Sequence, residues 1–565
     1  MDNEEMQRQQ DFKHTKIIQV PVLEPPCSCQ LGNPALRSHR KSKGHPSSRV
    51  VNHATGLTAA RNLHKEGLKV LLLEARGRVG GRTLSIQHKD HGTVDLGGAY
   101  VGPTQYKVLR LIKEFNLKTY KVDESDESVM NFRHSWKKYK GNNVPISNPF
   151  TILDLNHLIR TLEDMSKAVP PATPWTAKKA KQWDSISVQE FLLKTCWTRT
   201  AQSFGELFIR SVFCVETWEI SLLFALWEIR QAGGIDMLTS ITNGAQEMKV
   251  VGGTQQLSQL IAKELGQKVK LDSPVVSVEQ SQSNSVYTVR DMHGNTFKGR
   301  YVICAVPPPL MLRIHFDPPL PDLKRQLFQR MPMGSIIKSV MYYKTAFWRK
   351  KGLNGIAASD HGPVAYCVDD TKPDGSHPAI MGFILADQAR ELTQLSVSDR
   401  KKALCEHYTK AFGDADFLTP IGYEEKNWMG EEYSGGCYTS VMAPGTLTGC
   451  GSALRLSFEN ISFCGTEIAM RWRGYMEGAI SSGERVGLEV LHKMGKKRID
   501  INELDEHEYP EKDYGARGVE RYLPSISRLM KICIGLSLYT LFVWTRPYFF
   551  GWRGYFTWKF INYWD

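Results

Sequence analysis

Apolar positions along this chain change period several times, and each change marks an element. Leu57, Ala59, Ala60 and Leu63 recur at helical spacing, Gly67 stands where a helix would end in a left-handed residue, and Val70 to Leu73 is a continuous apolar run. The unit reads helix, turn, strand. A strand that is apolar at every position suits a parallel sheet covered on both faces, which predicts an α/β, doubly wound fold. Val275 to Val278 and Tyr301 to Val306 are expected to add strands to that domain, the second stopped by Pro307, Pro308 and Pro309. Residues 120–250 and 328–430 are mixed in pattern, with aromatics and amphipathic stretches, and predict an α+β substrate domain interleaved with the first.

Two stretches depart from this alternation. Residues 1–49 mix Gln, His, Pro, Ser and basic side chains without either period and predict a disordered leader. Near the other end, Ile532 to Thr545 is uncharged and mostly apolar, bounded by Lys531 and Arg546. Alone it is too short for a hydrocarbon core of about 30 Å, but Leu529, Met530 and the aliphatic stems of the flanking basic residues extend it toward the roughly 20 residues required. Tyr548, Phe549, Trp552, Trp558 and Trp564 then resemble an interfacial belt. A membrane-anchor helix in contact with lipid is therefore expected over 529–565, joined by a charged, Pro-containing connector over 496–528.

Composition narrows the class. With 565 residues at 41% apolar content the chain can bury a large core. The 72 basic and 59 acidic residues leave a net charge of +13, and no nucleic-acid motif accompanies it, so nucleic acid is not an expected partner. Eleven dispersed cysteines, an odd number, do not form a disulfide framework and indicate a reducing compartment. Cys27 and Cys29 have no second pair to complete a closed zinc site, so no metal is implied. The amino terminus lacks the apolar stretch of a secretory signal.

Candidate chemistry gathers in a few short segments. Glu74, ending the Val70 to Leu73 strand, is placed to accept hydrogen bonds from a ribose, and Arg76, Arg78, Gly80, Gly81 and Arg82 offer backbone amides and guanidinium groups suited to a pyrophosphate. Lys338 is an unusual charge inside the apolar run Ile336 to Val340, and Cys437 lies in the glycine-kinked loop Ser434 to Thr439 beside Tyr438. On general grounds such a cysteine is a small buried hydrophobe, such a lysine an edge-strand charge, and Tyr438 and Tyr475 are core tyrosines.

Order and spacing change that reading. Leu72 to Arg76, Val79 to Thr83, Asp95 to Tyr100, Ser434 to Thr439, Gly465 to Glu467 and Gly474 to Gly478 together resemble the flavin-dependent monoamine oxidases, from about Gly56 to Lys493. The resemblance implies a Rossmann-like FAD-binding domain over 50–119, 251–327 and 431–495. It implies FAD held covalently by a thioether from Cys437 to the 8α carbon, in a stretch that includes Trp428. Gly56, Gly97, Gly98, Ala99, Tyr100, Val275, Gly465, Thr466, Glu467 and Met476 join the cofactor contacts, with Gly465 to Glu467 offering amides at a helix start. Lys338 matches the lysine that holds a water near flavin N5, and Tyr438 and Tyr475 match the aromatic pair that guides a neutral amine. Gln246, Tyr366 and Phe383 match residues of the substrate cavity, Tyr366 resembling the gate of the B-type enzymes. Ser211 and Thr239 replace larger apolar side chains, and Met470 and Arg473 also depart from the pattern. Facing the cavity, Arg473 would repel protonated amines or attract a carboxylate; facing outward, it would do neither.

The implied activity is oxidation of a primary or small secondary amine, aromatic or aliphatic, by O2 to an aldehyde and hydrogen peroxide. The implied setting is the cytosolic face of the mitochondrial outer membrane, anchored through the carboxyl terminus, as a homodimer. The glycine turn departs from the family. Counting back from Gly56, its first two glycines are Val51 and His53, and His45 to Arg49 stands where an apolar strand is needed. A degraded first strand is expected, reflecting either a replaced amino terminus or a weakened hold on FAD. Two alternatives follow: a membrane-anchored binding protein of the same fold without catalysis, and a soluble polyamine or amino-acid oxidase, which would ordinarily lack the linking cysteine and the anchor.

Overall fold

The computed structural model describes residues 48–51, 54–141, 145–281, 286–497 and 522–549, with side chains between 54 and 541. The chain divides after His45, and everything described belongs to the second unit. The elements that position the site are, in chain order, β1 (Ser48–Val51), α1 (Ala54–Lys65), β2 (Val70–Leu73), α2 (Leu222–Ala232), β3 (Val269–Lys270), β4 (Val275–Gln280), β5 (Tyr301–Cys304), β6 (Ile336–Tyr342), β7 (Ile461–Phe463), α3 (Met476–Lys493) and α4 (Ile526–Phe549).

Five parallel strands, in the order β3-β2-β1-β5-β7, make the central sheet among the described residues. Alternation along β5 shows why both faces must be covered: Val302 and Cys304 pack with Phe328 and Phe463, while Ile303 turns the other way onto Leu57, Leu63, Val486 and Val490. Helices α1 and α3 pack closely on that second face. A side chain at Gly483 of α3 would put its Cβ 2.4 Å from the Thr55 carbonyl oxygen, so only glycine allows the approach.

The expected degradation of the first strand is corrected here. Ser48–Val51 forms β1 at the centre of the sheet, with Ser48 opposite both Val70 and Tyr301 and Val51 opposite both Leu73 and Cys304. Ladder bonds are made by the main chain, and Pro46 precedes the strand, so it removes no donor from it. The leader over 1–47 and His53 of the glycine turn lie outside the described residues. β4 also differs from expectation: Val275 to Val278 joins a separate sheet with Tyr287–Asp291 and His315–Asp317 rather than the parallel one.

Strands between 127 and 139 and between 336 and 427 form a seven-stranded mixed sheet among the described residues. β6 lies inside it, between Ala379–Leu385 and Gly422–Asn427, and all seven of its residues are buried. This placement forces the Lys338 side chain into the interior.

The segment expected to form a carboxyl-terminal anchor falls partly on α4. α4 has 24 residues, and among the described residues no helix is long and apolar enough to cross a membrane. It contains Arg528, Lys531 and Arg546, while Ile532, Leu536, Leu538 and Leu541 are exposed. Residues 550–565, with the expected tryptophans, lie outside the described residues.

Candidate active site

A cavity of about 410 Å³ lies where the parallel sheet, the mixed sheet and α2 meet. On one wall Gly80, Gly97, Gly98 and Ala99 present backbone. A Cβ built at Gly98 would have only the Thr83 methyl within 4 Å, at 3.9 Å, so that wall is open to a flat group. Thr439, Thr466 and Met476 complete this end. The space and the small-residue wall suit the flavin that the sequence implies.

Cys437 reaches the cavity from a loop whose course depends on glycine. Gly435 and Gly436 have φ of +68° and +141°, and Cys437 N–H donates to the Gly334 carbonyl at 3.0 Å. The Cys437–Tyr438 peptide bond is cis. Burial pushes the free Cys437 thiol up to about 12, against the opposing charge of Arg82, so it is protonated here at neutral pH. Arg82 donates to the Tyr438 carbonyl at 2.8 Å and forms an ion pair with buried Glu467, which holds that carboxyl below its usual range despite burial. Arg76 ties the same loop down, donating to Ser434 Oγ at 2.8 Å and to Glu431 at 3.2 Å.

Lys338 donates from Nζ to the Gly97 carbonyl at 2.8 Å, beside the rings of Phe383 and Tyr100. Burial first, and the charge of Lys249 second, lower it to about 7; Asp95 and Asp370 oppose the fall. Lys249 is itself paired with buried Asp370. The rings of Tyr366 and Phe383 lie 6.1 Å apart, and Thr239 and Ser211 also line the wall. Gln246 donates from Nε2 to the Leu238 carbonyl at 3.2 Å, while its buried Oε1 accepts nothing.

Most residues singled out from the sequence meet here, Tyr438, Tyr475, Trp428 and Tyr100 among them. Gly56, Glu74, Arg76, Gly81, Val275, Gly465 and Glu467 do not line the cavity. Gly56 is buried in the first turn of α1, where Ala54 and Thr55 reach the cavity instead. Glu74 turns its carboxylate back to the Arg76 amide at 3.0 Å, and Gly81 takes the Arg78 guanidinium on its carbonyl at 2.9 Å. Val275 sits on β4, away from the cavity.

The expected helix start at Gly465 is also corrected: Thr466–Ile468 is a single 3₁₀ turn, and Gly465 N–H is taken by Ser482 Oγ at 3.2 Å. Arg473 resolves differently from both orientations considered. It lines the cavity but is fully buried, and its charge is matched by Glu228. Sequence reasoning missed Glu228, because a single glutamate in the apolar run Leu222 to Ile229 carries no motif; the uncompensated arginine at 473 was the available signal.

Comparison with known proteins agrees with this geometry. The family model described as flavin containing amine oxidoreductase matches residues 54–491. The chain is 45% identical over 488 residues to amine oxidase [flavin-containing] B of Homo sapiens, covering 86% of this chain and 93% of that protein. It is 44% identical, with the same coverage, to amine oxidase [flavin-containing] of Danio rerio. Among solved structures, wild-type putrescine oxidase bound to putrescine superposes with a TM-score of 0.76 at 28% identity, over 79% of this chain and 99% of that one. Cyclohexylamine oxidase from Brevibacterium oxydans gives 0.76 at 26% identity, over 80% and 99%.

Proposed function

The chain belongs to the flavin-containing amine oxidoreductases and is an amine oxidase, and from that premise we propose the particulars of its reaction: a primary or small secondary monoamine, O2 and water become an aldehyde, ammonia or the smaller amine, and hydrogen peroxide. Bound FAD would supply the two-electron chemistry, as acceptor of the hydride equivalent from the carbon beside nitrogen and donor to O2. The wall of Gly80, Gly97, Gly98 and Ala99, with Thr439, Thr466 and Met476 opposite, would hold it. The protein's own residues do the rest. Tyr438 and Tyr475 confine the amine, and Gln246 stands on the wall beside it as a polar side chain. Tyr366 and Phe383 bound the outer cavity. Lys338, with its neutral and charged forms balanced near neutral pH, can hold a water or a proton on the side of Gly97.

The carrying observation is that Cys437, Tyr438, Tyr475 and Lys338, drawn from three separate segments, line one cavity. We assign Cys437 Sγ as a covalent link to the 8α carbon of FAD. Such a C–S bond would form with loss of the thiol proton and one 8α hydrogen, the two electrons going to O2, already the oxidant of turnover. Attachment to the mitochondrial outer membrane through the apolar exposed surface of α4, on its cytosolic side, and homodimerisation belong to the same reading. The test is the visible spectrum of purified protein before and after denaturation and precipitation. The wild type should keep its flavin colour with the polypeptide, and Cys437→Ala should release it. A wild-type protein that carries no flavin, or loses all of it on denaturation, refutes the covalent assignment.

A further inference from the structure

Arg473 and Glu228 form a buried ion pair at the wall of the substrate cavity, and its hydrogen bonds reach both loops that carry the phenols. Each of the three guanidinium nitrogens donates. Nε bonds the Glu467 carbonyl at 2.8 Å, one terminal nitrogen bonds the Ser440 carbonyl at 3.0 Å and its Oγ at 3.3 Å, and the other bonds Glu228. The plane of the group lies against Phe224 and Trp227 of α2, 4.7 and 5.4 Å from their ring centres. Glu228 is steadied in turn by Gln231 Nε2 at 2.9 Å.

Ser440 lies two residues beyond Tyr438, and Arg473 two residues before Tyr475. Glu467, whose carbonyl receives Arg473, also pairs with Arg82 and accepts from Thr439 Oγ1 at 3.2 Å. Thr466 Oγ1 donates to the Tyr475 carbonyl at 2.9 Å. The two phenol-bearing segments are thus bonded to each other through the guanidinium, and the guanidinium is held from outside by α2.

We propose that the Arg473–Glu228 pair is a positioning device that fixes the loop of Tyr438 against the loop of Tyr475 and so sets the slot in which the amine is presented for oxidation. The inference rests on the amine-guiding role given to the two phenols above. It also settles what Arg473 does not do. With every nitrogen engaged and its charge matched, it neither recruits a substrate carboxylate nor repels an ammonium, and the cavity favours amines without an acidic group.

The experiment uses full-length, flavin-loaded protein in detergent with benzylamine as probe. Replacing both partners, as Arg473→Met with Glu228→Leu, leaves no unpaired charge buried and should therefore keep the flavin spectrum and a melting temperature near the wild-type value. Anaerobic reduction of the flavin by saturating benzylamine should be at least about tenfold slower than in the wild type, whereas reoxidation by O2 should stay within about twofold, because misplacing a reacting group by an ångström slows the step it serves. Glu228→Gln, which keeps the volume and an acceptor for Arg473, should show the same split at about three- to tenfold. Reduction at the wild-type rate in the double variant overturns the proposal, as does equal slowing of both half-reactions. If the double variant fails to hold flavin, a wild-type reduction rate in Glu228→Gln overturns it alone. Failure of the wild-type flavin to be reduced by any monoamine overturns the phenol reading first, and this inference with it.

Discussion

Lys338 offers a test in which the sign and the pH window both follow from its surroundings. Its ammonium is buried on an inner strand of the mixed sheet, with a hydrogen bond to the Gly97 carbonyl and a second lysine nearby, and its pKa falls from the usual 10.5 to about 7. That drop is worth up to about 5 kcal/mol of preference for the neutral form. Below pH 7 both the folded and the unfolded chain hold the proton, and the cost of burying the charge is fully present. Between 7 and 10.5 the unfolded chain keeps a proton that the folded chain has shed, so stability rises with pH across that window. Lys338→Met removes the effect at nearly constant volume. Urea or thermal unfolding of both proteins from pH 6 to pH 10 should show the variant gaining most at pH 6, with its advantage shrinking by about 2–5 kcal/mol at high pH. The apparent second-order rate with O2 should change near pH 7 in the wild type and be flat in the variant. A stability difference independent of pH would mean that Lys338 never changes charge in this window, and the assignment of its proton-handling role would fall.

Lys324 is a second buried lysine, lowered to about 7 mainly by burial, with no hydrogen-bond partner and its Nζ 4.1 Å from the Phe463 ring centre. Lys324→Met should stabilise the protein by about 1–3 kcal/mol at pH 6 and less at pH 9, read by urea unfolding. Gly436→Ala should do the opposite: its φ is +141° and the added Cβ would lie 2.4 Å from the Gly334 carbonyl oxygen, so the loop of Cys437 must move. A loss of about 3 kcal/mol or more, with less flavin retained per polypeptide by absorbance, is expected. Gln246→Leu removes a polar side chain from the cavity wall and should raise KM for benzylamine about tenfold with the flavin content unchanged, in steady-state peroxide assays.

The fold was legible where a segment is buried on both faces and obscure where main-chain bonds alone place it. Val70 to Leu73 announces itself because every residue must be apolar, and Gly67, with φ of +78°, ends the preceding turn as its position suggests. β1 gives no such signal. Its sequence, Ser-Arg-Val-Val, is only half apolar, yet it lies between β2 and β5 because its main chain completes two ladders at once. β4 was misassigned for the converse reason. A short apolar run fits any sheet, and which neighbour it pairs with is decided by residues far away in sequence.

The site divides along the same line. Glycines that permit close approach and aromatics at fixed offsets survive as motifs, so the cavity's small-residue wall and both phenols could be read directly. Charges could be located but not balanced. Arg473 was visible as an anomaly, and its meaning depended on a glutamate 245 positions away that nothing local distinguishes. Burial then decides between the alternatives that sequence leaves open. A free guanidinium beside an amine pocket would oppose the substrate's own charge, whereas a paired one, with every nitrogen bonded, becomes part of the frame. The same reasoning explains why Lys338 and Lys249 coexist in one interior. Lys249 stays charged against Asp370, and Lys338, left with the Gly97 carbonyl and two ring faces, gives up its proton near neutral pH.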